Sequence, residues 1–270
     1  MNLSNILHQS KVYLQHLATA GNAHALHAPF AYSLYTDVIT FNPRYYAFGE
    51  LEAMRIDLMA NKRVIEVSDF GTGAGRNVKR SISGIAQRSL LSPIEGELLF
   101  RLVNHFQPKT ILELGTSLGL SSLYMHKAYT QATIHTLEGC PNIAQIAQDN
   151  FQRSQASINV HVGDIDHTLP KVLAQMPLID FAYLDANHSY EPTVKYFDKI
   201  IEHTTLEAVL VLDDIHWSSQ MSKAWQYIIA HQRVSLTMDL FGLGLVFLSP
   251  KLSKQNFKLK FNPKTEEPVF

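Results

Sequence analysis

Acidic side chains recur at one kind of place in this sequence, just after a short aliphatic or β-branched run. Asp164 follows INVHVG, Asp185 follows DFAYL, and the pair Asp213 and Asp214 follows AVLVL. If those runs are strands of an open α/β sheet, their carboxyl ends line one crevice, and residues far apart in sequence converge there. Carboxylate oxygens so placed suit a hard divalent cation such as Mg²⁺. One ligand comes from one strand end and two from its neighbour, which leaves open positions for substrate oxygens. His188 stands three residues after Asp185, at the end of the loop DANH. An imidazole with an ordinary pKa of about 6.5 is a suitable proton acceptor beside such a site. Each residue also has a plainer role: a strand-end aspartate caps the next helix or pairs with a lysine, and a loop histidine is solvated.

Two glycine-rich segments compete to hold a nucleotide-like ligand, VIEVSDFGTGAGR at 64–76 and TILELGTSLGLSS at 110–122. In a doubly wound sheet the ligand-facing loop follows the first strand, and an acidic side chain about 20 residues later accepts the ribose hydroxyls. The second segment meets this test, because ATIHTLE puts Glu138 at a strand end 23 positions after Gly115. In the first segment the same offset falls in SPIEGELLFRLV, whose spacing is helical. Neither loop is a dinucleotide fingerprint, since Ser117, Leu118 and Arg76 stand where G-x-G-x-x-G needs glycine, and this argues against a nicotinamide cofactor.

The elements that must position these residues are visible as an alternation. TILEL, ATIHTL, INVHV, LIDFAYL and AVLVL are each followed by a stretch of helical length, the pattern of a parallel sheet covered on both faces. After AVLVL, Met221, Ala224, Trp225 and Ile228 fall at i, i+3, i+4 and i+7, one buried helical stripe. VSLTMDL and LVFL, joined through Gly242 and Gly244, read as an antiparallel pair closing the sheet edge. Residues 1–90 read as a helical extension that ends in the first glycine segment, residues 91–250 as the ligand-binding domain, and the lysine-rich tail 251–270 as a solvated end.

Composition sets the outer bounds. The 270 residues are 46% hydrophobic and 17% charged, with 23 Lys+Arg against 24 Asp+Glu. That is ordinary globular usage, and near-neutral charge offers no broad cationic field for a phosphate backbone, so no nucleic-acid partner is expected. Cys140 is the only cysteine, which excludes an internal disulfide and any multi-thiolate metal site and suits a reducing compartment. No segment reaches the ~20 apolar residues of a membrane span, so a cytoplasmic, membrane-free protein is expected.

The string SPIEGELLFRLV, ILELGTSLGLSSLYM, IHTLEGCP, VHVGDI, IDFAYLDANHSYE and VLVLDDIHW resembles the class I S-adenosylmethionine-dependent methyltransferases. Within them it is similar to bacterial small-molecule O-methyltransferases related to catechol O-methyltransferase, over about residues 90–250. The resemblance implies an α/β fold, a doubly wound, mostly parallel, Rossmann-like sheet of seven strands. It implies cofactor contacts from Glu113, Gly115, Thr116, Ser117 and Gly119, with Glu138 on the ribose, Asp164 near the adenine, and Asp185 in the same site. In the metal-dependent branch the ligands match Asp185, Asp213 and Asp214, and His188 takes the place of a catalytic lysine. The second member of the pair is Asp where the catechol enzymes carry Asn. His188 together with two acidic residues is closer to the metal-dependent sugar O-methyltransferases of macrolide pathways.

The expected chemistry follows from the cofactor. Its sulfonium carries an activated methyl group, so the protein has to align an acceptor oxygen with the S–CH₃ bond and make it more nucleophilic. A small-molecule methyl acceptor is expected, Mg²⁺ or another divalent cation is the candidate second cofactor, and a homodimer is compatible with the sequence. A metal-independent methyltransferase and a non-catalytic S-adenosylmethionine-binding protein remain the alternatives. In the first glycine segment, Arg76, Lys79 and Arg80 follow the glycines, which reads as a flap at 69–80 closing over an anionic acceptor.

Overall fold

The computed structural model describes residues 3–69, 76–261 and 264–265. Its helices are α1 (Leu3–Thr19), α2 (Pro29–Leu34), α3 (Tyr46–Ala60), α4 (Ile82–Ser89), α5 (Pro93–Phe106), α6 (Leu120–Ala128), α7 (Pro141–Arg153), α8 (Ile165–Leu173), α9 (Tyr190–Ile201) and α10 (Ser219–Ala230). Its strands are β1 (Phe41–Asn42), β2 (Val64–Asp69), β3 (Arg76–Ser81), β4 (Thr110–Leu114), β5 (Thr133–Glu138), β6 (Asn159–Val162), β7 (Ile179–Leu184), β8 (Thr204–Leu212), β9 (Leu236–Asp239), β10 (Gly244–Phe247), β11 (Gln255–Lys258) and β12 (Lys264–Thr265). The chain forms two compact units, residues 41–176 with 263–270, and residues 1–40 with 177–262.

In the 41–176 unit, β4, β5 and β6 run parallel, with Thr110 opposite Thr133 and His135 opposite Asn159. All of β4 is buried, as a strand covered on both faces must be. Helix α5 begins at a capping box in which the Ser92 hydroxyl accepts from the Glu95 N–H and the Glu95 carboxylate accepts from the Ser92 N–H. Its buried face carries Leu98, Leu99, Leu102 and Val103. The first glycine segment is not a strand-to-helix turn, because β2 and β3 pair antiparallel from Val64 opposite Ser81 to Asp69 opposite Arg76. A hairpin has no helix N-terminus to present to a phosphate, which agrees with giving the cofactor to the second loop. The tip of the expected flap, residues 70–75, lies outside the described residues.

In the other unit, β7 and β8 are parallel, β10 runs antiparallel to both β8 and β9, and β11 adds parallel to β9. The expected antiparallel pair is present as β9 and β10. The expected helix stripe is present in α10, where Met221, Ala224, Trp225 and Ile228 are all buried. The main sheet has eight strands, one more than expected, and is mostly parallel. The eighth is β11, in the tail read as solvated. The open edge of β9 offers unpaired backbone groups that the tail satisfies. The tail is also held by its lysine: Lys254 Nζ donates to the carbonyls of Ile229, His231 and Val234 at 2.6–3.0 Å. Leu259 is buried, and its carbonyl lies 3.1 Å from His16 Nε2 on α1. Among the described residues no helix is long and apolar enough to cross a membrane.

Candidate active site

After β4 the chain turns through three residues in the left-handed region, Gly115 (φ 96°), Ser117 (φ 47°) and Gly119 (φ 85°), the last being the N-cap of α6. The N–H groups of Gly115 and Thr116 both donate to the Leu137 carbonyl, at 3.0 and 3.1 Å, which binds the loop to the end of β5. Beneath it Glu113 is fully buried. Its carboxylate accepts from the hydroxyls of Ser121 (2.5 Å), Thr136 (2.5 Å) and Ser122. A buried carboxylate must be paid for by such donors. Glu113 therefore ties the first turn of α6 to β4 and β5, a role its place in a cofactor motif does not reveal. Serines 121 and 122, on the first turn after a glycine N-cap, are the sequence signal for it.

Glu138 ends β5 facing this loop. Its Oε2 accepts from the Ser117 N–H and its Oε1 from the Cys140 N–H, both at 2.9 Å. Two backbone donors on opposite oxygens fix the plane of the carboxylate. The sequence gives no sign of Cys140 in this role, nor of Ser89, whose hydroxyl lies 2.7 Å from that of Ser117. Just beyond Glu138 the hairpin is fastened down: Ser68 N–H donates to Cys140 Sγ (3.4 Å) and Asn142 Nδ2 to the Glu66 carbonyl (2.8 Å). Asp164 caps α8, accepting from the Asp166 N–H at 3.0 Å, with His167 Nδ1 at 3.4 Å. That is the plainer of the two roles open to it in the sequence.

The 177–262 segment carries the remaining candidates. Asp213 begins the turn after β8, and its N–H donates to Leu184 at the end of β7 (2.9 Å). Asp214 has φ 54°, a conformation that Asp tolerates better than most side chains and that marks a position under constraint. His188 Nε2 lies 3.1 Å from Asp185 Oδ1 and 3.4 Å from Asp214 Oδ2. These are close ion pairs without the alignment of a good hydrogen bond. Burial alone would lower the His188 pKa, but contact with Asp185 and the charges of Asp214 and Asp213 push it to about 9. His188 is thus held as an imidazolium at neutral pH, a departure from the neutral acceptor expected of a loop histidine.

Asp213 is turned elsewhere, accepting from the Tyr183 hydroxyl on Oδ2 and from the Asp214 N–H on Oδ1, both at 2.8 Å. The expected metal site needs Asp185, Asp213 and Asp214 to converge on one ion. Two of them converge, but on the His188 imidazole. Among the described residues no group of three or more His, Cys, Asp or Glu is placed to hold a metal ion. As arranged, these side chains do not fit one.

A glycine-turned loop behind the first strand of a parallel ladder and an acidic side chain at the end of the second are the features of a Rossmann-like fold. Residues 112–215 match the family described as a methyltransferase domain. The chain is 33% identical over 131 residues to the catechol O-methyltransferase of Mycobacterium tuberculosis, covering 47% of this chain and 58% of that protein. It is 29% identical over 129 residues to the catechol O-methyltransferase of Niastella koreensis, covering 46% and 58%. The chain thus spans little more than half the length of these relatives. Among solved structures, the Bacillus cereus O-methyltransferase in complex with S-adenosylhomocysteine superposes with TM-score 0.55 at 19% identity, over 80% of this chain and 96% of that one. That likeness is one of fold.

Proposed function

We propose that this protein transfers the methyl group of S-adenosylmethionine to a hydroxyl of a small molecule. The clamp on Glu138 carries this reading: a carboxylate at the end of the second ladder strand, plane fixed by the Ser117 and Cys140 N–H groups, is poised for a vicinal diol such as a ribose. Gly115, Thr116, Ser117 and Gly119 shape the loop that admits the methionine end, Glu113 holds that loop in place, and Asp164 borders the cofactor. The names of the two catechol O-methyltransferases among the relatives support oxygen as the acceptor atom. The acceptor hydroxyl gives its proton to a carboxylate of the Asp185 and Asp214 pair, between which the His188 imidazolium supplies the balancing positive charge.

Calorimetric titration with S-adenosylhomocysteine tests the cofactor half. Loss of hydrogen bonds to a charged carboxylate costs about 1.5–3 kcal/mol, so Glu138→Ala should weaken binding by about 10–150-fold. Glu138→Gln should fall between, because one of its two amide positions meets a backbone N–H with another donor. Unchanged affinity in Glu138→Ala would refute the ribose assignment.

Chelation tests the other half. With His188 already supplying the positive charge between Asp185 and Asp214, turnover should survive exhaustive EDTA treatment. Activity lost to EDTA and restored by Mg²⁺ would show instead that a cation displaces the imidazole from the two carboxylates.

A further inference from the structure

A cavity of about 680 Å³ opens within the unit that holds α1, α9 and α10, lined by His8, Tyr190, Ser222, Lys223, Gln226 and Tyr227 among others. Small-molecule sites typically run to about 300–1,000 Å³, so it is large enough for an aromatic ligand. Its wall is chemically asymmetric. Two phenol rings supply flat apolar surface. Tyr227 directs its hydroxyl away to Asp198, 3.0 Å from Oδ2, and so occupies that carboxylate.

The polar side of the cavity is cationic. Lys223 makes no ion pair or hydrogen bond among the described residues. Ser222 Oγ is held between two imidazoles, 3.0 Å from His8 Nε2 and 3.1 Å from His216 Nδ1. A hydroxyl has one proton to give, so one ring donates to Ser222 and the other accepts from it. One unpaired ammonium with the Gln226 amide donor beside it, and no arginine among the lining residues, suits a singly charged planar anion, a carboxylate, better than a phosphate.

We propose that this cavity binds an aryl carboxylate, its ring against Tyr190 and Tyr227 and its carboxylate on Lys223 with Gln226, and that it selects the methyl acceptor. Tyr190 is two residues from His188, and its N–H donates to Gln220 Oε1 at 3.3 Å, so the start of α9 is joined to the start of α10 where the cavity opens. The acceptor part of this inference rests on the methyltransferase reading; the binding part does not.

Ligand-observed NMR with 4-hydroxycinnamate and its neutral amide tests it on the full chain. The carboxylate should bind at least ten-fold tighter than the amide, and exposed Lys223→Gln should abolish the difference while leaving amide binding unchanged. Tyr227→Ala should weaken both ligands. Equal binding of the two compounds, no binding of either, or a preference that survives Lys223→Gln overturns the proposal. S-adenosylhomocysteine titration on the same samples reads the cofactor site separately, so failure of the methyltransferase reading shows there and leaves the carboxylate comparison intact.

Discussion

Replacing His188 with Asn should lower methyl-transfer turnover by about 10²–10⁴-fold, the usual span for disabling a proton-accepting cluster, here by removing the charge between its two carboxylates. The reason is geometric: Nε2 stands 3.1 Å from Asp185 and 3.4 Å from Asp214. Asn keeps some polarity but carries neither proton nor charge, and it leaves two carboxylates facing each other. His188→Lys restores the charge and should recover part of the rate that Asn loses. Affinity for S-adenosylhomocysteine should be unchanged in both variants, since the clamp on Glu138 is made by Ser117 and Cys140. Single-turnover assays at saturating cofactor make the measurement. Wild-type turnover in His188→Asn would assign the imidazole to surface solvation and remove it from the chemistry.

How much of this was readable beforehand differs from element to element, for physical reasons. The parallel strands and the α10 stripe were legible because burial on both faces or on one stripe forces a periodic apolar pattern, as in β4 and at Met221, Ala224, Trp225 and Ile228. Glu138 was legible because a strand-to-strand offset is nearly fixed in this topology. Strand β11 was not, since QNFK has one large apolar residue and forms through the edge of β9 rather than through its own pattern. The β2–β3 hairpin was hidden by glycines that suggested a ligand loop.

The site was legible by residue type and not by arrangement. Asp185, His188 and Asp214 do meet, but nothing in the sequence says that the imidazole stands between the carboxylates or that Tyr183 draws Asp213 aside. Buried polar networks escape entirely when their members are far apart in the chain. His216 Nε2 lies 2.9 Å from Asp239 Oδ2, and His16 Nδ1 lies 3.5 Å from Asp239 Oδ1, yet the three residues sit on α1, on the turn after β8 and at the end of β9. Only the fold brings them into register.

Gly119→Ala should be the most destabilising single change in the cofactor loop. At φ 85° an L side chain is strained, at roughly 1–2 kcal/mol. Its Cβ would also stand 2.5 Å from Phe151 Cε1, 2.8 Å from Cζ and 3.2 Å from the Cβ of Ala147. Phe151 and Ala147 are both buried on α7, so the ring has no free space to swing into, and overpacking of this kind costs about 1–3 kcal/mol. The combined loss should be about 2–5 kcal/mol, read as a lowered urea midpoint. Gly49 is the control: it lies within α3, and a Cβ there meets nothing within 4 Å. Gly49→Ala should therefore stabilise by about 0.5–1 kcal/mol through backbone entropy alone. Opposite signs at the two glycines separate the close approach of α6 to α7 from any general effect of adding a methyl group. A Gly119→Ala midpoint within error of wild type would show that the α6 N-cap can relax away from Phe151, and that the tight turn is not what fixes the loop in front of Glu138.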